Sequence, residues 1–141
     1  MRHNSTAPRA LSDAEFRALA AFRFALRRFF AFSEEVAVSV GLTPQQYQAL
    51  LAIRAHPASE GISVGELATR LFIRPHSAVG LADRLEARGY IVRQPAHHDR
   101  RMVCLALTLS GGKALNALAT THRAELLRMR PEIIALLDSL G

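Results

Sequence analysis

The sequence predicts a mainly α-helical domain with one small antiparallel β-wing. Three observations carry this. Between Ser63 and Thr108 two short segments share one apolar rhythm at i, i+3, i+4, i+7: Val64, Leu67, Ala68, Leu71, then Ala78, Leu81, Ala82, Leu85. Tyr90 to Gln94 and Met102 to Thr108 then read as paired strands around a loop from Pro95 to Arg101. Long apolar segments lie on either side of this region. Two amphipathic helices joined by a few residues and followed by a hairpin form a winged helix-turn-helix, a shape that places one helix in a DNA major groove.

Each element has a local cause. Residues 1–11 are polar and read as a mobile arm without the apolar core of a signal peptide. Ser12 opens a helix, with Glu15 completing a capping box, and Gly41 supplies its stop near Val40. Phe16, Phe22, Phe24, Phe29, Phe30 and Phe32 spread around this helix rather than along one stripe. A helix apolar on several sides must be covered on several sides, and a second subunit is the expected cover. Thr43-Pro44-Gln45-Gln46 starts the next helix, with Tyr47, Leu50 and Leu51 as its apolar face and His56-Pro57 as its end. Ser63 and Glu66 predict a third capping box. Pro75 suits the first turn of the following helix, and Gly89 ends it. Thr108 or Ser110 caps a helix to about Met129. Pro131 is expected to break it and leave a short last helix from Glu132 to Leu140. Residues 12–141 thus form a single domain: 12–40 and 109–141 flank a winged helix-turn-helix at 43–108.

The 141 residues carry a formal net charge of +6, with Lys113 as the only lysine. Arg70, Arg74, Arg84, Arg88, Arg93, Arg100 and Arg101 concentrate in the helix-turn-helix and wing, against Asp83, Glu86 and Asp99. A basic patch on one module favours a polyanion. On the second helix of the pair the apolar stripe faces inward. His76, Ser77 and Val79 near its start are placed to meet base edges and a thymine methyl. Gly80 leaves the backbone free to approach DNA. Arg74 and Arg84 suit phosphates, and Pro75 opens the helix that carries them. At the wing tip, Asp99, Arg100 and Arg101 form a charged loop. An arginine there fits the minor groove, with Asp99 shaping the loop. The candidate DNA-binding residues are therefore Arg74, Pro75, His76, Ser77, Val79, Gly80, Arg84, Asp99, Arg100 and Arg101.

These residues also carry a family resemblance. Gly41-Leu42-Thr43, Leu67 to Leu71, the run from Ser77 to Glu86 closing on Gly89, Asp99-Arg100-Arg101, Leu107-Thr108 and Gly111 come in the order and spacing of the MarR family of bacterial transcriptional regulators. The chain resembles that family over about residues 12–140. The resemblance implies a homodimer whose first and last helices form the interface, and pseudo-palindromic double-stranded DNA as partner. It also implies a small aromatic or lipophilic effector held between the dimer helices and the DNA-binding module. Asp99 and Arg101 match the family's paired wing residues, and Arg101 its minor-groove arginine. Arg74, Gly80 and Leu109 depart from the family's common choices of a small polar cap, a basic or polar residue, and a proline.

The sequence points away from other classes. No nucleotide-binding glycine loop, nucleophile elbow or paired carboxylates stand out, so neither an enzyme nor a cofactor is expected. His97-His98 without partnered cysteines is weak as a metal site. Cys104, the one cysteine, excludes an intrachain disulfide, fits a reducing cytoplasm, and reads as a buried structural thiol. Charges interrupt the apolar segment from Phe16 to Val40, which excludes an ordinary membrane span. Phe29, Phe30 and Tyr47 are pocket candidates, with core packing the simpler role. The expected function is a DNA-binding transcriptional repressor relieved by an effector. The alternative is a winged-helix protein-interaction module without a specific DNA site.

Overall fold

A computed structural model describes residues 7–58 and 60–141, so the first six residues of the expected arm lie outside the described residues. Residues 7–12 have no regular structure, and Arg9 turns back to pair with Glu15 at 3.0 Å. The elements in chain order are α1 (Asp13–Ser39), α2 (Pro44–Ala55), β1 (Ile62–Ser63), α3 (Val64–Leu71), α4 (Pro75–Ala87), β2 (Ile91–Pro95), β3 (Val103–Leu107) and α5 (Leu109–Asp138). The strands form one antiparallel sheet in the order β1-β3-β2.

Helix starts follow the caps expected from sequence. Ser12 with Glu15, and Thr43 with Gln46, form reciprocal capping boxes. Only half of the third box forms. The Ser63 hydroxyl accepts from the Glu66 N–H at 3.1 Å, but the Glu66 carboxylate is drawn off to His56 Nε2 at 2.9 Å. A charge-assisted contact to the imidazole outcompetes a bond to one backbone amide. Thr108, not Ser110, caps α5, accepting from the Gly111 N–H at 3.0 Å.

One element is new, and two further expectations are corrected. β1 was not foreseen; it is a two-residue strand that pairs Ile62 with Leu105 and Ser63 with Cys104. Leu51 points away from the core, and Ile53 takes its place beside Tyr47 and Leu50. Pro131 does not break the last helix, because α5 runs unbroken for 30 residues. A proline inside a helix costs about 3 kcal/mol. Packing of α5 against α1 offsets that cost, with Met129 buried just before Pro131; the ion pair of Glu132 with Arg28 of α1 just after it is half-exposed and fixes position more than it stabilises.

The core gathers Ala37, Leu42, Leu50, Leu67, Leu81, Leu85, Ile91, Leu105 and Leu118, drawn from both flanking helices and the module between them. Helix α5 is joined tightly to the wing. A Cβ built on Gly111 would lie 2.0 Å from the Tyr90 carbonyl oxygen, so only glycine lets α5 pass this close to the start of β2. The Thr108 hydroxyl also donates to the Gly89 carbonyl at 2.6 Å. Higher on α5, His122 is buried between α1 and α2. Its Nδ1–H donates to the Leu118 carbonyl at 2.7 Å, which leaves Nε2 to accept from the Ser33 hydroxyl at 2.7 Å. Tyr47 stacks on this imidazole at 4.2 Å, and Phe29 and Phe32 meet it edge-on.

The wing is clasped from the loop before β1. The Glu60 carboxylate accepts from the His97 backbone N–H at 3.1 Å and meets His97 and His98 Nδ1 at 3.3 and 3.2 Å. Gln94 adds a bond from its side-chain amide to the Glu60 carbonyl at 2.7 Å. The His97 amide, then the charges of the two imidazoles, hold the Glu60 carboxyl below its usual range despite partial desolvation.

Two consequences can be measured. Gly111→Ala should destabilise the fold by about 3 kcal/mol in urea denaturation, because backbone on both sides must give way. Gly112→Ala, where an added Cβ meets nothing within 4 Å, should be neutral or stabilising by up to about 1 kcal/mol. Equal effects at the two positions would refute the close approach. The depressed Glu60 pKa means that its clasp is complete above the carboxylate's ordinary pKa and is lost as pH falls through the lowered one. Hydrogen exchange at the His97 amide should therefore stay protected in mild acid and lose protection only in stronger acid. Glu60→Gln should remove most of that pH dependence.

Candidate nucleic-acid interface

The rotation of α4 is set by its buried stripe. Ala78, Leu81, Ala82 and Leu85 are all buried in the shared core. At 100° per residue the remaining side chains must face outward. Pro75, His76, Ser77, Val79 and Arg84 are exposed, and Gly80 is half-buried. A Cβ on Gly80 would touch only the Arg84 guanidinium, at 3.5 Å. The chain's own packing therefore tolerates alanine there. Arg74 takes the N-cap position, and its side chain makes no cap bond, so the amides of the first turn keep free donors.

The wing tip presents the second group. Asp99 Oδ1 accepts from the Arg101 N–H at 3.0 Å and from its Nε–H at 3.3 Å. The Met102 N–H closes the turn onto the Asp99 carbonyl at 3.0 Å. Asp99 thus ties the loop to the base of the Arg101 side chain, whose guanidinium is almost fully exposed. Arg100 is exposed beside it.

The seven arginines of this region do not act alike. Arg93 bridges β2 to α4, donating to Asp83 at 2.6 Å and to Glu86 at 2.9 Å. The Asp83 hydrogen bond, aided by the charge of Glu86, pushes its pKa up further. Arg88 turns back to donate to the Gly41 carbonyl and lies over the Tyr90 ring at 5.0 Å. Arg70 pairs loosely with Glu66 at 3.8 Å. Of these seven, Arg74, Arg84 and Arg100 make no hydrogen bond or ion pair to another side chain among the described residues, and the Arg101 guanidinium is tied only at its inner nitrogen. The basic patch is smaller than a count of arginines suggests. Asp83 and Glu86, three apart on one helix face, were the available sign that Arg93 would be neutralised.

Other sequence candidates resolve differently. Cys104 is buried in β3, and burial, then the nearby Glu60 charge, pushes its thiol pKa up. His97 and His98 turn onto Glu60, and no cluster of metal-ligating groups forms among the described residues. No helix among the described residues is long and apolar enough to cross a membrane. Tyr47 is buried against His122, which raises the pKa of its phenol by desolvation, whereas Phe30 is exposed. The open space lies elsewhere. A cleft of about 640 Å³ runs between the end of α2, the end of β3 and the start of α5. Leu107, Leu109 and Ala117 line it together with Arg54 and Lys113.

Comparison with known proteins places this geometry. Residues 40–102 match the model of the MarR family. The chain is 35% identical over 79 residues to the transcriptional activatory protein BadR of Rhodopseudomonas palustris, covering 56% of this chain and 45% of that protein. It is 35% identical over 71 residues to the HTH-type transcriptional repressor MdtR of Bacillus subtilis, covering 50% of this chain and 44% of that one. The chain thus spans under half the length of these two relatives. The crystal structure of CouR from Rhodococcus jostii RHA1, bound to p-coumaroyl-CoA, superposes with a TM-score of 0.73 at 23% identity over 92% of this chain and 93% of that one. Residues 40–102 thus match the MarR family at residue level, and the fold as a whole matches that of a solved structure in three dimensions.

Proposed function

We propose that this chain is a homodimeric, sequence-specific DNA-binding transcriptional regulator. The observation that carries the reading is the outward face of α4, set by its buried stripe and lying beside an arginine-tipped wing. In the complex the first turn of α4 enters the major groove. His76 and Ser77 meet base edges, Val79 touches a thymine methyl, and Arg74 and Arg84 hold phosphates. Arg101 enters the adjacent minor groove from a loop that Asp99 holds in shape, with Arg100 on the backbone. The names of the relatives support transcriptional regulation, and they include both an activator and a repressor. The simplest mode for such a DNA-facing surface is repression by occupying an operator.

Uncovered apolar side chains support a homodimer. Phe16, Phe24 and Phe30 on α1, and Leu126, Leu127, Ile134 and Leu137 on α5, stay exposed on the single chain. An effector has a place in the cleft beside Arg54 and Lys113. Two cations among apolar lining side chains suit an aromatic or lipophilic acid. Bound there, it would relieve repression by favouring a spacing of the two recognition helices that no longer fits the operator.

Fluorescence anisotropy with the DNA upstream of the gene, beside a scrambled duplex at two salt concentrations, tests the reading. Nanomolar binding with at least about a thousandfold preference supports it. Equal, salt-sensitive binding to both duplexes would leave only a basic winged helix whose main partner is a protein. Arg101→Ala should weaken binding to every sequence and reduce the salt slope by about 1 per subunit. His76→Ala should cost about 1–3 kcal/mol on the operator alone. Leu137→Glu should shift the chain from dimer to monomer in analytical ultracentrifugation, and a monomeric parent would sink the dimer.

A further inference from the structure

The turn between α3 and α4 contains a residue that the fold itself does not explain. Phe72 caps α3 in the left-handed region, at φ 54° and ψ 41°. It is the only non-glycine residue with positive φ among the described residues. The Phe72 N–H bonds the Thr69 carbonyl at 3.3 Å and the Ile73 N–H bonds the Ala68 carbonyl at 3.0 Å, the pattern of a glycine-favouring helix end. The chain uses glycine for the same purpose elsewhere: Gly41 after α1 and Gly89 after α4, at φ 77° and 75°. At Phe72 it accepts the strain of a side chain in this conformation. Packing does not compensate, because Phe72 is 97% exposed.

Its surroundings indicate what the ring meets. The Arg70 side chain is 65% exposed on one side, and Arg74 and His76 are exposed on the other. The nearby acid, Glu66, is already engaged by His56 and Arg70. An apolar ring between two exposed arginines complements a surface that alternates anions with carbon-rich faces, as the sugar-phosphate chain of DNA does. Phe72 also lies two residues before Arg74, so its Cα is within about 7 Å of the start of the recognition helix. A major groove is about 12 Å wide. An element this close to a helix entering the groove lies over its phosphate edge.

We propose that Phe72 is a DNA-backbone contact, its ring laid against the deoxyribose of the strand that borders the groove entered by α4. The assignment rests on the DNA-binding reading above. It adds an affinity contact that carries neither charge nor base preference.

Phe72→Gly and Phe72→Asn test it, because both residues suit the left-handed conformation and both remove the ring. Each variant should keep or raise the thermal midpoint of the parent. Each should bind the upstream DNA and the scrambled duplex about tenfold more weakly, with the slope of affinity against salt unchanged because no cation is lost. Phe72→Tyr should bind as the parent does. Parent-like affinity in the glycine and asparagine variants overturns the contact. So does a loss confined to the natural sequence, or a loss that tracks a lowered thermal midpoint. Unchanged DNA binding with impaired transcriptional control in cells would assign the ring to a protein partner instead. If the parent binds neither duplex, the DNA reading itself fails and the contact falls with it, an outcome distinct from failure at Phe72 alone.

Discussion

Burial of the small apolar stripe on α4 is the constraint on which the rest of the structure depends. Ala78 and Ala82 let the helix lie close against its neighbours, while Leu81 and Leu85 fill the shared core. Such a stripe fixes both the depth and the rotation of the helix, because turning it by one residue would expose a leucine and bury a charge. His76, Ser77, Val79 and Arg84 therefore face outward as a consequence of packing, whatever they contact. A face set by the core is rigid, and rigidity is what reading a groove at hydrogen-bond distances requires.

Electrostatics divides the arginines into two groups. Arg93 and Arg88 are consumed inside the fold, one tying β2 to α4 and the other tying the end of α4 to the loop after α1. Ion pairs this exposed add little stability individually. Their value lies in geometry: Arg93 reaches two acids at once and holds the wing at one angle to α4. The arginines left available, Arg74, Arg84, Arg100 and the outer nitrogens of Arg101, sit at the ends of the same surface. The charge that would bind a polyanion is thus held apart from the charge that aligns the binding elements.

Local rules were the most legible part of the sequence. The boxes at Ser12 and Thr43, Pro75 at the first turn of α4 and the glycine after it all act within four residues, and all appear as expected. The fold class and the hairpin followed from periodicity. The failures are contacts between distant residues. Pro131 reads as a stop because its effect on the helix is local, yet Arg28, more than a hundred residues earlier, helps hold the helix together. β1 has no pattern of its own at two residues and exists because Leu105 and Cys104 offer it an edge. Glu60 was invisible as a wing clasp because neither partner histidine is near it in sequence. The outward-facing set proposed to meet DNA was readable as a face of α4 and a loop composition. Which arginines remain available could only be settled by knowing where Asp83, Glu86 and Gly41 lie.

On the reading proposed above, the junction at Gly111 limits how the chain could respond to a ligand. Helix α5 presses on the Tyr90 carbonyl with no room for a methyl group, and Thr108 bonds the residue that ends α4. Further along, His122 of α5 is bonded to Ser33 of α1 and stacked on Tyr47 of α2. One helix thus joins the start of the wing, the end of α4, and both α1 and α2. A chain so connected resists bending between its halves, since packed interiors shift between discrete arrangements rather than deform smoothly. On the dimer reading proposed above, the compliant contact is then the one between subunits. A ligand in the cleft beside α5 would act by tilting that whole helix, and a small tilt would be amplified at the far end of α4. Specificity for such a ligand would come from Arg54 and Lys113, while the response would come from the stiffness of the chain around Gly111.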